Sequence, residues 1–231
     1  MARSAALFGA TGVVGGACLR QLASHPAYEA VVTVGRTVPA FAHAKVRAVA
    51  STIAGFDDLD RDATGTIDDV FCCLGTTHAK AGSTEAFAAV DRDGVVAACR
   101  LAARIGAGRF LLVSAVGASA ASPIAYTRVK GEAEDGCRRL ADKLQVAIFR
   151  PSLLLDPRPE FRLKEVVAAP VLRLLAPVMA GPFSRYRPIT AETVARAMIA
   201  VAKSRPAGTG TTVYEHDEMV SLAGGTPPNW A

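Results

Sequence analysis

The chain lacks a long apolar run. The longest, Val166 to Ala180, is interrupted by Pro170, Arg173 and Pro177 and falls short of the roughly 20 residues that span a bilayer. A lid or core helix is favoured there over a membrane-surface segment, and no transmembrane segment is expected. A signal peptide is not expected either, because the first apolar run, Ala5-Ala6-Leu7-Phe8, is short and leads straight into a glycine turn. The cysteines (Cys18, Cys72, Cys73, Cys99, Cys137) are odd in number and show no metal-type spacing. They read as reduced, buried thiols of a cytoplasmic protein. The histidines show no ligand spacing, so no metal is expected. The net charge is +5, but the basic residues are scattered and no basic run is interleaved with aromatics. A nucleic-acid partner is therefore not expected, and the same surface suits an anionic cofactor. Internal repeats and low-complexity linkers are also missing.

What is present reads as an α/β protein. At 231 residues, 51% apolar and 20% charged, the chain can bury the core of one sizeable domain. Short apolar runs recur: Ala5–Phe8, Ala30–Gly35, an edge strand near Lys45–Ala50, Asp69–Leu74, Phe110–Ser114 and Val146–Phe149. Helical patterns separate them, after Gly12, over Thr84–Arg104 and over Ile124–Leu140. The acidic stretch Asp57–Asp62 fits either a helix or a loop. Nearly unbroken apolar strands alternating with amphipathic helices predict a doubly wound parallel sheet covered on both faces. Cys72 and Cys73 are adjacent and should face opposite sides of their strand. Prolines crowd the chain beyond Arg150. A helix resumes at Thr190–Ala195, with Thr190 and Thr193 as capping candidates, and a strand at Thr211–Glu215 and a short helix near Glu218–Ala223 come after it. One domain is expected, with residues 151–231 supplying a small substrate-side cap.

The stretch Gly9-Ala10-Thr11-Gly12-Val13-Val14-Gly15 lies between the first strand and the first helix. A strand, a glycine-rich turn and a helix form the arrangement that binds a dinucleotide pyrophosphate. Gly9 permits the turn, Gly12 lets the backbone approach the phosphates, and Gly15 lets helix and strand pack closely. The second strand ends at Arg36 and Thr37, about 20 residues past the motif, where an acidic residue usually meets the ribose 2′-hydroxyl of NAD. An arginine there would meet a 2′-phosphate with a charge-assisted contact, and Thr37 could add a hydroxyl. NADP is therefore expected in preference to NAD.

Tyr126 and Lys130 are four residues apart on a predicted helix and share a face. A free tyrosine hydroxyl, with a pKa of about 10, exchanges its proton poorly at neutral pH. A lysine ammonium beside it would favour the phenolate. Such a tyrosine could donate a proton to a carbonyl oxygen as hydride arrives, or accept it in reverse. Ser114, at the end of the preceding strand, could hydrogen-bond the same oxygen.

With these motifs the first two thirds of the chain resembles the short-chain dehydrogenase/reductase superfamily in its extended or atypical branch. The motifs are the glycine turn, Tyr126-Thr127-Arg128-Val129-Lys130, and Arg150-Pro151-Ser152 after the last main strand. More narrowly, Phe71-Cys72-Cys73-Leu74-Gly75-Thr76-Thr77, Val90-Asp91-Arg92-Asp93 and Val129-Lys130-Gly131-Glu132 resemble the Tat-interacting-protein-like oxidoreductases. The resemblance implies that Tyr126 is the catalytic acid/base, that Lys130 holds the nicotinamide ribose, and that Ser114 orients the substrate. It implies that Leu74, Gly75 and Thr76 line the adenine-ribose and phosphate side, and that Pro151, Ser152, Leu153 and Leu154 pass near the nicotinamide. Asp91 stands about where many relatives carry a helix asparagine of a proton relay. Ser51-Thr52 stand where an aspartate often touches the adenine.

Two readings emerge: an NADP-dependent oxidoreductase acting on a small carbonyl or alcohol, or an NADP(H)-binding regulator or scaffold with little turnover. The Ser114–Tyr126–Lys130 set favours the enzyme. The substrate is not legible, although apolar residues from Leu155 to Phe183 weakly indicate an apolar ligand. The oligomeric state is left as monomer or homodimer.

Overall fold

The computed structural model describes residues 2–155, 181–204 and 207–225. The apolar stretch Val166–Ala180, most of the proline-rich part of the expected cap and the end of the chain beyond Gly225 lie outside the described residues.

Seven strands form one sheet in the order β3-β2-β1-β4-β5-β6-β7. They are β1 (Arg3–Phe8), β2 (Tyr28–Gly35), β3 (Val46–Ala50), β4 (Asp69–Cys72), β5 (Arg109–Val113), β6 (Gln145–Phe149) and β7 (Gly210–Tyr214). Every neighbouring pair is parallel. The helices are α1 (Val13–Ser24), α2 (Arg61–Thr64), α3 (His78–Ala81), α4 (Thr84–Ala88), α5 (Val95–Arg104), α6 (Ala125–Arg138), α7 (Ala191–Ser204) and α8 (His216–Leu222). The chain winds outward in both directions from β1, and the order reverses between β1 and β4. At that reversal the loops leaving the two strand ends diverge and open a crevice, the usual ligand position in such sheets.

Alternation along the strands sorts the core into two layers. Leu7, Val31, Phe71, Leu111 and Ala147 point to one face and pack with α1 and α7, through Leu19, Leu22, Val194 and Met198. Phe8, Val32, Val70, Phe110 and Ile148 point to the other and meet α5 and α6, through Val95, Leu101 and Ala133. Burying a side chain such as Leu22 contributes about 2–3 kcal/mol, and both layers are built from many. Cys72 belongs to the second layer and Cys73 packs against the first, as adjacent strand positions require. The cysteines are free.

Three segments differ from the sequence reading or sharpen it. The acidic stretch becomes a 3₁₀ turn, Ala54–Asp58, followed by α2. Asp60 caps α2 by accepting from the N–H groups of Asp62 and Ala63 at 3.0 and 2.9 Å. The single helix expected over Thr84–Arg104 is α4 and α5 joined through a π-helical turn, Ala89–Gly94. Thr190 does cap α7, accepting from the Thr193 N–H at 3.1 Å.

At the edge opposite the crevice, the first residues of four strands share one carboxylate. Asp69 accepts from Tyr28 Oη at 2.7 Å, Arg3 Nη2 at 2.6 Å and Arg109 Nη1 at 3.1 Å. Burial pushes the Asp69 carboxyl up, and the tyrosine and the two guanidinium groups oppose that shift. Removing one partner of a buried charge pair leaves the others uncompensated. Asp69→Ala should therefore lower the unfolding free energy by about 3–5 kcal/mol, measured by urea denaturation.

Candidate functional site

The crevice begins at the turn between β1 and α1. Gly9 has φ = 77°, a left-handed conformation that side chains rarely adopt, and a Cβ there would lie 2.3 Å from the Cys73 carbonyl oxygen. A Cβ on Gly15 would lie 2.0 Å from the Gly9 carbonyl oxygen. No side chain fits at either position, so α1 starts hard against the ends of β1 and β4. Gly12 closes the turn by donating to the Gly9 carbonyl at 3.0 Å and is the N-cap of α1. It offers no side-chain cap, and the first turn holds no acidic residue. The free N–H groups and positive dipole end are thus left for an anion. Around them Ala10 and Val14 are buried, Val13 is half-buried and Thr11 is exposed. This cradle fits a dinucleotide pyrophosphate.

Arg36 and Thr37 come directly after β2 and are both exposed. Among the described residues no ion pair occupies Arg36. Ser51 and Thr52 serve their own turn: Thr52 Oγ1 accepts from the Gly55 N–H at 3.3 Å, and Ser51 Oγ donates to the Thr52 carbonyl at 3.0 Å.

Across the crevice, Leu74, Gly75 and Thr76 leave β4 beside the π turn. Asp91 Oδ2 accepts from the Thr76 N–H at 2.8 Å, and Asp91 Oδ1 lies 2.8 Å from Lys130 Nζ. A Cβ on Gly75 would be 3.3 Å from Asp91 Oδ1 and 3.6 Å from Lys130 Nζ, so β4, the π turn and α6 converge here. Burial acts to lower the Lys130 pKa, but Asp91 and then Tyr126 outweigh it and hold the ammonium above its ordinary range. Tyr126, one turn earlier on α6, is 46% exposed. Its ring stacks on buried Phe87 with centroids 5.7 Å apart.

Ser114 is placed differently from the expectation. It is buried at the end of β5, and its hydroxyl donates to Glu134 Oε1 at 2.6 Å. Glu134 also accepts from Arg150 Nε at 2.9 Å, Arg150 Nη2 at 2.5 Å and Arg138 Nη2 at 2.8 Å. The structure therefore gathers Lys130, Gly75 and Asp91, leaves Tyr126 one turn away against Phe87, and ties Ser114 into a separate buried cluster. Glu134 escaped the sequence reading, although its spacing was a signal: Tyr126, Lys130 and Glu134 succeed one another at four-residue steps along one face of α6. The loop before α6 is fastened to it, with the Ser119 N–H on the Thr127 carbonyl at 3.0 Å and Ser122 Oγ 2.6 Å from Thr127 Oγ1.

The segment after β6 is anchored to the loop after β5 and to the strand-like stretch around Ile189. The Val116 N–H donates to the buried Pro151 carbonyl at 2.9 Å, and the Ile189 N–H donates to the Leu153 carbonyl at 3.0 Å. Ser152 Oγ donates to the Arg187 carbonyl. Leu154 bridges Ile189 in parallel, and Leu153 is exposed. Among the described residues no helix is long and apolar enough to cross a membrane, and no group of three or more His, Cys, Asp or Glu could hold a metal ion.

The fold and the turn define a dinucleotide-binding Rossmann protein. Comparison with known proteins gives the family: residues 9–205 match the family described as NAD(P)H-binding, and the chain belongs to it. It is similar to Protein HTATIP2 of Rattus norvegicus, with 34% identity over 200 residues, 85% of this chain and 80% of that protein. It is also similar to Protein fmp52, mitochondrial, of Emericella nidulans, with 36% identity over 168 residues, 71% of this chain and 72% of that protein. These are the atypical short-chain dehydrogenase/reductase-like proteins that the motifs resemble. Among solved structures, WbmH of Bordetella bronchiseptica in complex with NAD+ aligns with a TM-score of 0.67 at 15% identity, covering 93% of this chain and 76% of that one. MoeE5 in complex with UDP-glucose and NAD aligns at 0.65 and 15%, covering 95% and 80%. They share the fold.

The relatives correct one expectation. The FMP52 proteins of Emericella nidulans, Candida albicans and Aspergillus clavatus, at 34–37% identity, are named mitochondrial, which overturns the cytoplasmic reading. Unpaired cysteines report a reducing environment, not a particular compartment.

The turn supplies a test. Gly15→Ala would force α1 away from β1, costing about 1–3 kcal/mol as overpacking. It should weaken NAD(P)H binding with the melting temperature lowered, as read by fluorescence titration and thermal denaturation.

Proposed function

We propose that the chain is an NADP-dependent oxidoreductase that interconverts a carbonyl and an alcohol, with Tyr126 as the proton donor and acceptor. The observation that carries this reading is the exposed hydroxyl-bearing ring of Tyr126. It stands one helical turn from a buried, charged Lys130, which meets Asp91 beside Gly75 on the loop that leaves β4. The bound dinucleotide would supply the hydride. The chain's own part is to hold it and to move a proton. The turn from Gly9 to Gly15 would take the pyrophosphate on backbone N–H groups. Arg36, exposed and outside any ion pair among the described residues, with Thr37 beside it, would take a 2′-phosphate. Leu74, Gly75 and Thr76 would line the ribose side, and Lys130 would hold the nicotinamide ribose. Pro151 to Leu154 would border the nicotinamide. Tyr126 would then give its proton to the carbonyl oxygen. Residues 151–231 would contribute the substrate-side cap.

One observation favours a second reading, a cofactor-binding regulator. Ser114, the third member of the expected set, gives its hydroxyl proton to Glu134 instead of presenting it beside Tyr126. We therefore leave Ser114 out of the chemistry and assign it, with Arg150, to holding the ends of β5 and β6 on α6.

Purified protein with NADPH, screened against carbonyl compounds by loss of nicotinamide absorbance, separates the two readings. Turnover that falls about 10²- to 10⁴-fold in Tyr126→Phe supports the enzyme. Tight NADPH binding without turnover of any compound supports the regulator. For the cofactor, Arg36→Ala should weaken NADPH about 10- to 100-fold, the worth of a charge-assisted contact, and leave NADH nearly unchanged. Equal losses for the two nucleotides would remove the phosphate role.

A further inference from the structure

Four of the five cysteines lie in contacting pairs, one pair on each face of the sheet. Cys73 Sγ is 3.9 Å from Cys18 Sγ, and Cys18 Sγ is 3.9 Å from Met198 Sδ. The residue after β4 therefore meets α1 and α7 through sulfur. On the other face the Cys99 and Cys137 thiols are in hydrogen-bond contact. That second pair is wholly buried, and so is Cys18, whereas Cys73 is only half-buried. A small solute can reach the first pair at Cys73 and has no such route to the second.

The first pair also adjoins the phosphate cradle. The Cys73 N–H donates to the Phe8 carbonyl at 2.9 Å, and the Cys73 carbonyl oxygen fills the space that a Gly9 Cβ would take. The Cys73 backbone is thus held on both sides. Cys18 belongs to α1, the helix whose first turn offers its N–H groups without a side-chain cap. A disulfide holds its sulfurs about 2 Å apart, so joining Cys18 to Cys73 would draw the two sulfurs together by about 2 Å. With one backbone held, that displacement falls on Cys18 and on the start of α1.

We propose that Cys18 and Cys73 form a reversible disulfide under hydroperoxide, and that the linked protein binds NAD(P)H more weakly than the dithiol. This concerns dinucleotide binding alone and does not depend on the oxidoreductase reading. The Cys73 thiolate attacks one oxygen of hydrogen peroxide, the O–O bond breaks, and the departing hydroxide takes up a proton as water. Cys73 is left as the sulfenic acid. The Cys18 sulfur then attacks the Cys73 sulfur, the S–O bond breaks, and the oxygen leaves with the Cys18 proton as a second water. Two thiols lose two electrons, and the peroxide gains them. Contact with Cys18 and burial push the Cys73 thiol up, with Lys130 acting the other way. Thiolate is therefore scarce at neutral pH and the first step is slow. The pair stays reduced through brief exposure and links under sustained exposure.

The test exposes the whole reduced protein to hydrogen peroxide for hours, blocks the remaining thiols with N-ethylmaleimide in denaturant, and reads the product by intact mass and peptide mapping. The expected product has lost two hydrogens, leaves Cys72, Cys99 and Cys137 open to blocking, and yields a linked Cys18–Cys73 peptide. Its NADPH affinity, read by fluorescence titration, should fall about tenfold and return with dithiothreitol. Cys18→Ala should bind NADPH as the reduced wild type does and lose the response to peroxide. If Cys18→Ala does not fold, the wild-type map and titration still decide. Several results would overturn the proposal: no reaction, a Cys99–Cys137 link, a link between two chains, or sulfinic acid at Cys73 in place of the internal link. A Cys18–Cys73 link that leaves NADPH affinity unchanged would overturn it too, as would an equal loss of affinity in peroxide-treated Cys18→Ala. Neither the map nor the titration requires turnover, so failure of the carbonyl screen and failure here are told apart.

Discussion

Backbone contact between the turn and the ends of β1 and β4 sets the geometry of everything around it. The Gly9 carbonyl lies where a Cβ of Gly15 would be, and the Cys73 carbonyl lies where a Cβ of Gly9 would be. Three chain segments therefore meet with no side chain between them. This closeness brings the start of α1 to the mouth of the crevice with its N–H groups unclaimed. It also fixes where Leu74, Gly75 and Thr76 emerge, because the Cys73 N–H is bonded to the Phe8 carbonyl at 2.9 Å. A methyl group at either glycine would push the start of α1 away from the loop that faces Lys130.

Beyond that contact, two buried carboxylates hold α6 in place. Asp91 reaches it from the π turn and Glu134 reaches from it to β5 and β6. Each is bound to cations that are themselves wholly or partly buried, an arrangement that is costly to break yet often neutral in its net effect on stability. Their effect is positional. Asp91 fastens the loop after β4 to Lys130, and Glu134 fastens Ser114 and Arg150, at the ends of β5 and β6, to α6. Tyr126, one turn before these fastenings on α6 and stacked on Phe87, is 46% exposed.

The fold was legible in the sequence because it depends on local pattern. The strands were visible as short apolar runs, and the parallel sheet was implied by their alternation with helices. The glycine turn was legible because Gly9 and Gly15 are required by close backbone approach, which leaves a mark at fixed spacing. Tyr126 and Lys130 were legible because a helix converts a four-residue step into one face. Ser114 shows the limit. A strand-end serine can turn toward the crevice or toward the helix beside it, and Glu134, twenty residues later, captured it. The π turn was illegible for a related reason. Apolar residues continue at helical spacing on both sides of Asp91, and the widened turn arises from where Asp91 must point.

That widened turn has an evolutionary corollary. A π turn carries one residue more than the α-helix it interrupts, which rotates the helix beyond it by about 100° relative to the helix before it. Phe87 faces its small cluster and Leu101 faces the main core, while Asp91 faces Lys130 between them. Deleting one residue from Ala89–Gly94 would restore a continuous helix with those three directions no longer compatible. The core or the ion pair would have to give way. Length in this segment is therefore as constrained as residue type, and an insertion or deletion here would be tolerated less readily than most substitutions.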